Sequence, residues 1–148
     1  MKIIKAQYSD LDLVATLFDE YRVFYRMDSD LSKAKGFISE RLEQNDSVIF
    51  YAIDQSLPIG FVQLYPSFSS VAMQRIYILN DLFVVANSRN KGVATLLLAA
   101  SEEYALQNGA LRLALATEVI NVQAQKLYEK NGWQKNDAFI HYNKVIVI

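Results

Sequence analysis

The chain of 148 residues contains no cysteine, one histidine, two prolines and five glycines. Without cysteine it forms no disulfide, no thiolate metal site and no cysteine nucleophile. A single histidine does not make a metal site, so we expect no bound metal. The few prolines and glycines form no linker, and we see no repeat. At this length we therefore expect one domain over residues 1–148.

Charge and apolar runs exclude further classes of protein. The 15 basic and 16 acidic residues leave a formal net charge of −1, which argues against a dedicated nucleic-acid binder. No apolar stretch approaches the ~18 residues of a membrane span. The chain begins Met-Lys-Ile-Ile-Lys and so soon reaches charge, without a signal-peptide pattern. We expect a cytoplasmic protein, and the 52% of hydrophobic residues allow a sizeable core.

Strand and helix patterns alternate along the chain. We expect strands over 2–7, 48–53, 60–65, 73–85 and 111–116, and final strands at Trp133 and over 139–148. We expect helices from an N-cap at Ser9 through Tyr21, and over 31–42, 93–106 and 122–130. The order β-α-α-β-β-β-α-β-α-β-β predicts an α/β fold with a mixed sheet.

The segment from Leu82 to Thr95 joins an apolar strand pattern to a Leu- and Ala-rich helix. The polar turn between them has the pattern Arg89-x-x-Gly92-x-Ala94. Glycine lets backbone N–H groups approach a ligand closely, and a helix N-terminus adds unpaired N–H groups and a positive dipole end. Such a turn suits a pyrophosphate. An ordinary strand-to-helix turn can also carry a glycine, so the fragment alone leaves both interpretations open.

A second pattern, Asn121-x-x-Ala124-x-x-Leu127-Tyr128, ends at Gly132. Helical spacing places Ala124, Leu127 and Tyr128 near one another on one face. A helix that packs on a core, with a tyrosine at its edge, has the same pattern. By itself the pattern does not separate this interpretation from a binding role.

Taken together, in this order and with one strand between them, the two patterns resemble the signature of the GNAT superfamily of N-acetyltransferases. The resemblance covers residues 60–133 and implies a mixed, mostly antiparallel sheet flanked by helices, with acetyl-CoA as co-substrate. In the family, the strand before the turn pairs with the pantetheine arm, and the turn amides bind the pyrophosphate. The asparagine and tyrosine of the second pattern reach the pantetheine chain and the sulfur. The resemblance thus implies these cofactor-binding residues: Leu82, Phe83, Val84, Arg89, Asn90, Lys91, Gly92, Val93, Ala94, Thr95, Asn121 and Tyr128.

The chemistry that the resemblance implies needs a proton acceptor and a proton donor. An amine with a pKa near 10.4 is neutral in only about one molecule in 2,500 at pH 7, a deficit of about 4.6 kcal/mol. A base or a water chain offsets that deficit. The Val84 amide is the candidate donor to the oxyanion. Tyr128, with an ordinary pKa of about 10, is the candidate donor to the leaving thiolate.

The candidate base lies just before the strand that resembles the cofactor-pairing strand. In polyamine acetyltransferases of the family a Glu-Asp pair precedes the cofactor-pairing strand, and the matching pair here is Asn80-Asp81. Asn80 cannot take a proton, which leaves Asp81 to act directly or through water. A satisfied carboxylate at a strand edge is the alternative. Glu118 is a weaker candidate, and His141 is expected to be a surface or hydrogen-bonded residue.

The resemblance implies an acetyl-CoA-dependent N-acetyltransferase, and the leading hypothesis is that it transfers an acetyl group to a primary amine of a small molecule by direct attack. The alternatives are a protein lysine or N-terminal acetyltransferase, and a silent acyl-CoA-binding sensor. The aromatic stretch from Tyr21 to Tyr25 and the loop over residues 65–70 are candidates to line the acceptor site. The resemblance also implies a possible homodimer through the last strands.

Overall fold

The computed structural model describes residues 1–147, and the chain divides into two compact units, Met1–Ala116 and Thr117–Ile148. In chain order the first unit contains β1 (Lys2–Lys5), α1 (Leu11–Phe24), α2 (Leu31–Gln44), β2 (Val48–Asp54), β3 (Leu57–Ser69), β4 (Gln74–Val84), α3 (Val93–Gln107) and β5 (Leu113–Ala114). The second unit contains α4 (Val122–Lys130). No helix within residues 1–147 is long and apolar enough to cross a membrane.

The five strands form one sheet in the order β1-β2-β3-β4-β5. The first four pair antiparallel, and β5 pairs parallel to β4. Gln55 and Ser56 join β2 to β3 as a two-residue hairpin turn, and their φ angles are 48° and 66°. A two-residue turn whose twist matches that of the strands requires positive φ angles. The predicted α/β class with a mixed, mostly antiparallel sheet is confirmed.

Helices cover both faces of the sheet, because alternate residues of the inner strands are apolar on each side. On one face, Phe61 of β3 packs against Tyr21 of α1, with ring centroids 5.6 Å apart. On the other face, Phe50 of β2 packs against Tyr104 of α3 at 5.9 Å. Full burial of such an aromatic or aliphatic side chain contributes about 1.5–3 kcal/mol. The face toward α1 and α2 carries the cluster Leu11, Val14, Ala15, Leu17, Phe18, Ala34, Ile38, Ile49, Tyr51, Phe61 and Phe83.

A β-bulge in β4 changes which residues of that strand face which helix. Gln63 pairs with Asp81, but the next residue of β3, Leu64, pairs with Leu79, so Asn80 is an extra residue in β4. Tyr77, before the bulge, therefore contacts Tyr104 on the α3 side. Asp81 and Phe83, an even number of residues later, lie on the α1 side, where the Phe83 ring is 6.1 Å from that of Tyr21. Without the bulge, these two residues would share the face of Tyr77.

Three local expectations from the sequence are wrong. Ser9 is not the N-cap of α1: it lies inside a 3₁₀ turn, Tyr8–Asp10, and Asp10 precedes the helix. The loop expected at 65–70 is strand as far as Ser69, because these residues pair with β4 from Gln74 onward. The strand expected over 111–116 is reduced to Leu113–Ala114.

The two final strands of the predicted order are also wrong for the described residues. Residues 133–147 contain no strand, and position 148 lies outside the described residues. Apolar side chains of this segment are exposed: Phe139 by 69%, Ile140 by 80% and Tyr142 by 87%. Strand propensity measures how well a side chain packs on neighbouring strands, so β-forming residues make no strand where no ladder partner lies beside them.

A buried carboxylate fastens the connection between α1 and α2. Asp19 accepts hydrogen bonds from the Ser29 hydroxyl at 2.6 Å and from the Asp30 N–H at 2.8 Å. Asp30 in turn caps α2 by accepting from the Lys33 N–H at 3.1 Å. These two hydrogen bonds lower the pKa of Asp19 below its usual value of 3.8, and the bond from Ser29 has the larger effect.

Asp19→Asn should lower the free energy of unfolding by about 1–3 kcal/mol at pH 7, because an amide cannot accept both bonds as a carboxylate does. Since the folded-state pKa is depressed, the stabilisation is present above about pH 4 and is lost as pH falls through the folded value. Urea denaturation at pH 7 and pH 3 measures the effect. Asp28→Asn, in the same connection, is the control. An equal loss at both pH values would contradict this role for the Asp19 charge.

Candidate active site

The bulge brings a small polar cluster into the apolar face between the sheet and α1. Asp81 is only 4% exposed, and Gln63 opposite it on β3 is fully buried. Gln63 Nε2 donates to Asp81 Oδ2 at 2.7 Å. Asn80, the bulge residue, donates from Nδ2 to Asp81 Oδ1 at 3.0 Å. Both carboxylate oxygens therefore accept an amide N–H, which fixes the plane of the carboxylate.

Tyr65 follows Gln63 on the same face of β3 and is partly buried. Burial is the larger cause, and the charge of Asp81 the second, of a pKa of Tyr65 that is raised to about 12. The phenol therefore keeps its proton at neutral pH. Of the two groups, only the carboxylate of Asp81 is available to accept a proton there.

The outer edge of β4 is open beside Val84. The Val85 N–H donates to the Ile59 carbonyl of β3 at 2.9 Å, so the alternation of the antiparallel ladder turns the N–H and C=O of Val84 away from β3. On that side β5 pairs only with Tyr77 and Ile78. Within the described residues, no strand pairs with β4 from Leu82 to Val84 on this edge. The backbone groups of Val84 on this edge are thus not paired with another strand of the described residues.

Arg89 lies across the end of this edge rather than over the turn that follows. Its Nε donates to the Val84 carbonyl at 2.9 Å. Its guanidinium lies 5.2 Å from the Phe24 ring centroid and 5.8 Å from that of Phe83. The Arg89 guanidinium is thus engaged by a carbonyl and two aromatic faces. Arg89 and Lys91, both candidate cofactor-binding residues, are exposed.

The turn itself has the backbone of an anion site. Asn90 and Gly92 both adopt left-handed conformations, with φ of 62° and 80°. Gly92 is the N-cap of α3 and brings no capping side chain, and a Cβ built on it meets nothing within 4 Å. The Gly92 carbonyl accepts from the Leu96 N–H, which is the first hydrogen bond of the helix. The N–H groups of the three residues before Leu96, namely Val93, Ala94 and Thr95, therefore have no acceptor within the helix. They fit an incoming phosphate.

Gly60 determines how closely β3 approaches this part of β4. A Cβ built on Gly60 would lie 2.8 Å from the Phe83 carbonyl oxygen and 3.3 Å from side-chain carbons of Val84 and Val93. Only glycine allows the strand to pass here without moving Phe83 and Val84. The position of the open edge thus depends on a residue outside the predicted set.

The second unit holds the other predicted pair on α4. Asn121 is its N-cap, and Oδ1 accepts from the Ala124 N–H at 3.1 Å. The cap engages the oxygen, so the amide N–H donors are what Asn121 offers to a ligand. Tyr128 is partly buried, and its ring centroid lies 5.8 Å from that of Trp133. The Trp133 N–H donates to the Tyr128 carbonyl at 3.0 Å, which fixes the end of this helix.

The remaining candidates are distributed as follows. Tyr21 and Tyr25 form an aromatic pair with centroids 5.0 Å apart at the end of α1, on the sheet face of Phe61. Glu118 is partly buried in the loop before α4, and His141 is exposed. Within residues 1–147, no group of three or more His, Asp or Glu side chains lies close enough to hold a metal ion. Gln63 is the site residue that sequence reasoning missed, although a glutamine between Val62 and Leu64 is an evident polar interruption.

Several known proteins that are similar to this chain are named acetyltransferases. Residues 12–133 match the family model described as acetyltransferase (GNAT) family. The chain is 52% identical over 142 residues to an uncharacterized N-acetyltransferase of Bacillus subtilis, YhfO, which covers 96% of this chain and 95% of the relative. A crystal structure of a probable acetyltransferase superposes with a TM-score of 0.94 at 39% identity, and covers 100% of this chain and 99% of the other.

A third comparison shows the fold alone. An aminoglycoside N-acetyltransferase in complex with CoA superposes with a TM-score of 0.81 at 21% identity, and covers 97% of this chain and 93% of the other. At this identity the likeness concerns the arrangement of strands and helices.

Proposed function

The chain belongs to the GNAT family of acetyltransferases, and we propose that it transfers the acetyl group of acetyl-CoA to a primary amine of a small molecule. The observation that carries this proposal is the open edge of β4 at Val84, followed directly by the α3 N-terminus with Gly92 at φ 80°. An extended pantetheine arm would pair with that edge as an added strand. Its pyrophosphate would lie on the amides of residues 93–95.

The residues of the site supply the three needs of direct transfer. The N–H of Val84, turned toward the open edge, donates to the carbonyl oxygen that gains charge. Asp81 accepts the proton of the attacking amine, directly or through water. Tyr128 donates a proton to the departing sulfur. We propose in addition that Asn121 and Tyr128 bind the cofactor and that residues 1–148 are one acetyltransferase domain.

A small-molecule acceptor is favoured by the aromatic residues near the end of α1. Phe24 and Phe83 face the guanidinium of Arg89, and aromatic faces of this kind also attract ligand cations such as a protonated amine. A similar fold carries aminoglycoside acetylation in another protein. Thiol release from acetyl-CoA with spermidine, lysine, kanamycin and a lysine peptide tests the proposal. Turnover only with the peptide would favour a protein acetyltransferase, and binding of CoA without any turnover would favour a sensor.

Gly92→Asp should weaken CoA binding at least tenfold, which is about 1.4 kcal/mol. The new carboxylate would stand beside the phosphates at the α3 N-terminus. Gly92→Asn is the matched control, because asparagine has nearly the same shape, tolerates a positive φ and carries no charge. Isothermal titration calorimetry measures both. Equal affinities for a folded Gly92→Asp variant and the wild type would remove the turn from the binding site.

Tyr128→Phe should lower kcat by ~10²-fold or more, because the hydroxyl that protonates the thiolate is lost. The ring and its contact with Trp133 are kept, so the variant should stay folded. Thiol-release kinetics measure kcat, and a thermal melt checks that the variant is folded. A variant with wild-type kcat would exclude Tyr128 from the mechanism.

Asp81→Asn should lower kcat/KM by ~10- to 10³-fold and make the rate follow the fraction of neutral amine. The fold should survive, since Gln63 can turn its own carbonyl toward the introduced amide. The pH profile of kcat/KM with the best amine of the panel is the measurement. An unchanged plateau and ascending limb would show that Asp81 is only a structural carboxylate. A change confined to KM would place it in acceptor binding.

A further inference from the structure

Gln63 is a fully buried amide in an otherwise apolar stretch of β3. Its neighbours in the strand, Val62 and Leu64, are buried on the α3 side, while Gln63 faces α1 together with Asp81. Burying an amide is unfavourable unless its polar atoms find partners. An apolar side chain of the same length would fill this position without that cost.

The chemistry of Asp81 determines which way the Gln63 amide points. An ionised carboxylate only accepts hydrogen bonds, so the group 2.7 Å from Asp81 Oδ2 is Nε2 of Gln63. The carbonyl Oε1 then faces away from the carboxylate. It is buried and accepts no hydrogen bond from any residue that the structure describes. A buried acceptor beside a carboxylate calls for a small donor such as water.

We propose that Gln63 is a positioning residue of the acetyl transfer: its Nε2 holds the Asp81 carboxylate in one orientation, and its Oε1 holds a water beside that carboxylate. The inference rests on the proposed function, in which Asp81 accepts the proton of the amine. As the amine nitrogen bonds to the thioester carbon, its N–H bond breaks and the proton passes to the water. The water gives a proton to Asp81, from which it returns to the solvent. The C–S bond then breaks, and the CoA sulfur leaves as a thiol with the proton that the proposed function assigns to Tyr128.

The hydrogen-bonding capacity of Asp81 is compatible with this role. Each oxygen of Asp81 accepts one amide N–H and keeps a further lone pair for a water. Tyr65 is the titratable group next to the pair on β3. Arg41 of α2 and Asp46, in the loop after it, lie near enough to influence the pKa of Tyr65. Because the phenol stays protonated, it does not compete with Asp81 for the proton.

The test compares Gln63→Met, which keeps the length of the side chain and removes both polar atoms, with the wild type. We expect kcat to fall about tenfold with the best amine of the panel, at an unchanged KM for acetyl-CoA. The ascending limb of the pH profile should move to higher pH, because the charged carboxylate loses a donor. Carbon-detected NMR of the Asp81 carboxyl, assigned with Asp81→Asn, should show its titration midpoint moving the same way.

Two further variants keep the test decisive if Gln63→Met does not fold. Asn80→Ala removes the other donor from an exposed position and should also raise the titration midpoint of the Asp81 carboxyl, with a smaller loss of kcat. Ser101→Ala removes a different buried hydroxyl, bonded to Leu97 on α3, and should change neither quantity. The inference would be overturned if folded Gln63→Met kept the pH profile and kcat of the wild type. It would also be overturned if Asn80→Ala left the titration midpoint of the Asp81 carboxyl unchanged.

The outcomes separate this inference from the proposed function. If Asp81→Asn is slow and Gln63→Met is not, Asp81 remains the base and the role of Gln63 is wrong. If Asp81→Asn keeps full activity, the assignment of the base fails, and with it the catalytic role of Gln63. The NMR midpoint in Gln63→Met then still reports whether Gln63 holds the carboxylate.

Discussion

The single extra residue in β4 is the constraint on which the candidate site depends. Because Asn80 has no partner on β3, the strand changes faces between Leu79 and Asp81. Tyr77 therefore packs on α3, whereas Asp81 and Phe83 lie against α1. A regular ladder would send the carboxylate and the phenylalanine to the α3 side, away from Gln63.

The same end of β4 leads through a short connection into the proposed cofactor-binding backbone. After Val84 the chain makes a short 3₁₀ turn, Ala86–Ser88, and reaches Gly92, whose left-handed conformation begins α3. Arg89 fastens this connection to the Val84 carbonyl. This short connection keeps the open strand edge and the helix N-terminus close together. A ligand that contacts both of them needs such a fixed separation.

Local features were predictable from the sequence, and features that depend on pairing were not. The turn at Gly92 and the bounds of α4 follow from residues close in sequence, whose conformational preferences act locally. The partnership of Gln63 with Asp81 joins residues on different strands and depends on the bulge, which no spacing within β4 reveals. The expected strands after Trp133 failed for a related reason, because composition alone supplies no ladder partner. The resemblance implied acetyl-CoA as co-substrate and Arg89 or Lys91 as a charge beside the pyrophosphate. The position of the Arg89 guanidinium near the Phe24 and Phe83 rings was visible only in three dimensions.

The most direct test of the account is a titration of nitrogen-15-labelled protein with CoA, followed by amide NMR. The account predicts that the amide signals of Val84, Val93, Ala94 and Thr95 shift together and saturate with one Kd. Signals from the far edge of the sheet, at β1, should stay in place. Unchanged signals at these four residues, with CoA bound and shifts elsewhere, would contradict the assignment of the cofactor to the β4 edge and the α3 N-terminus.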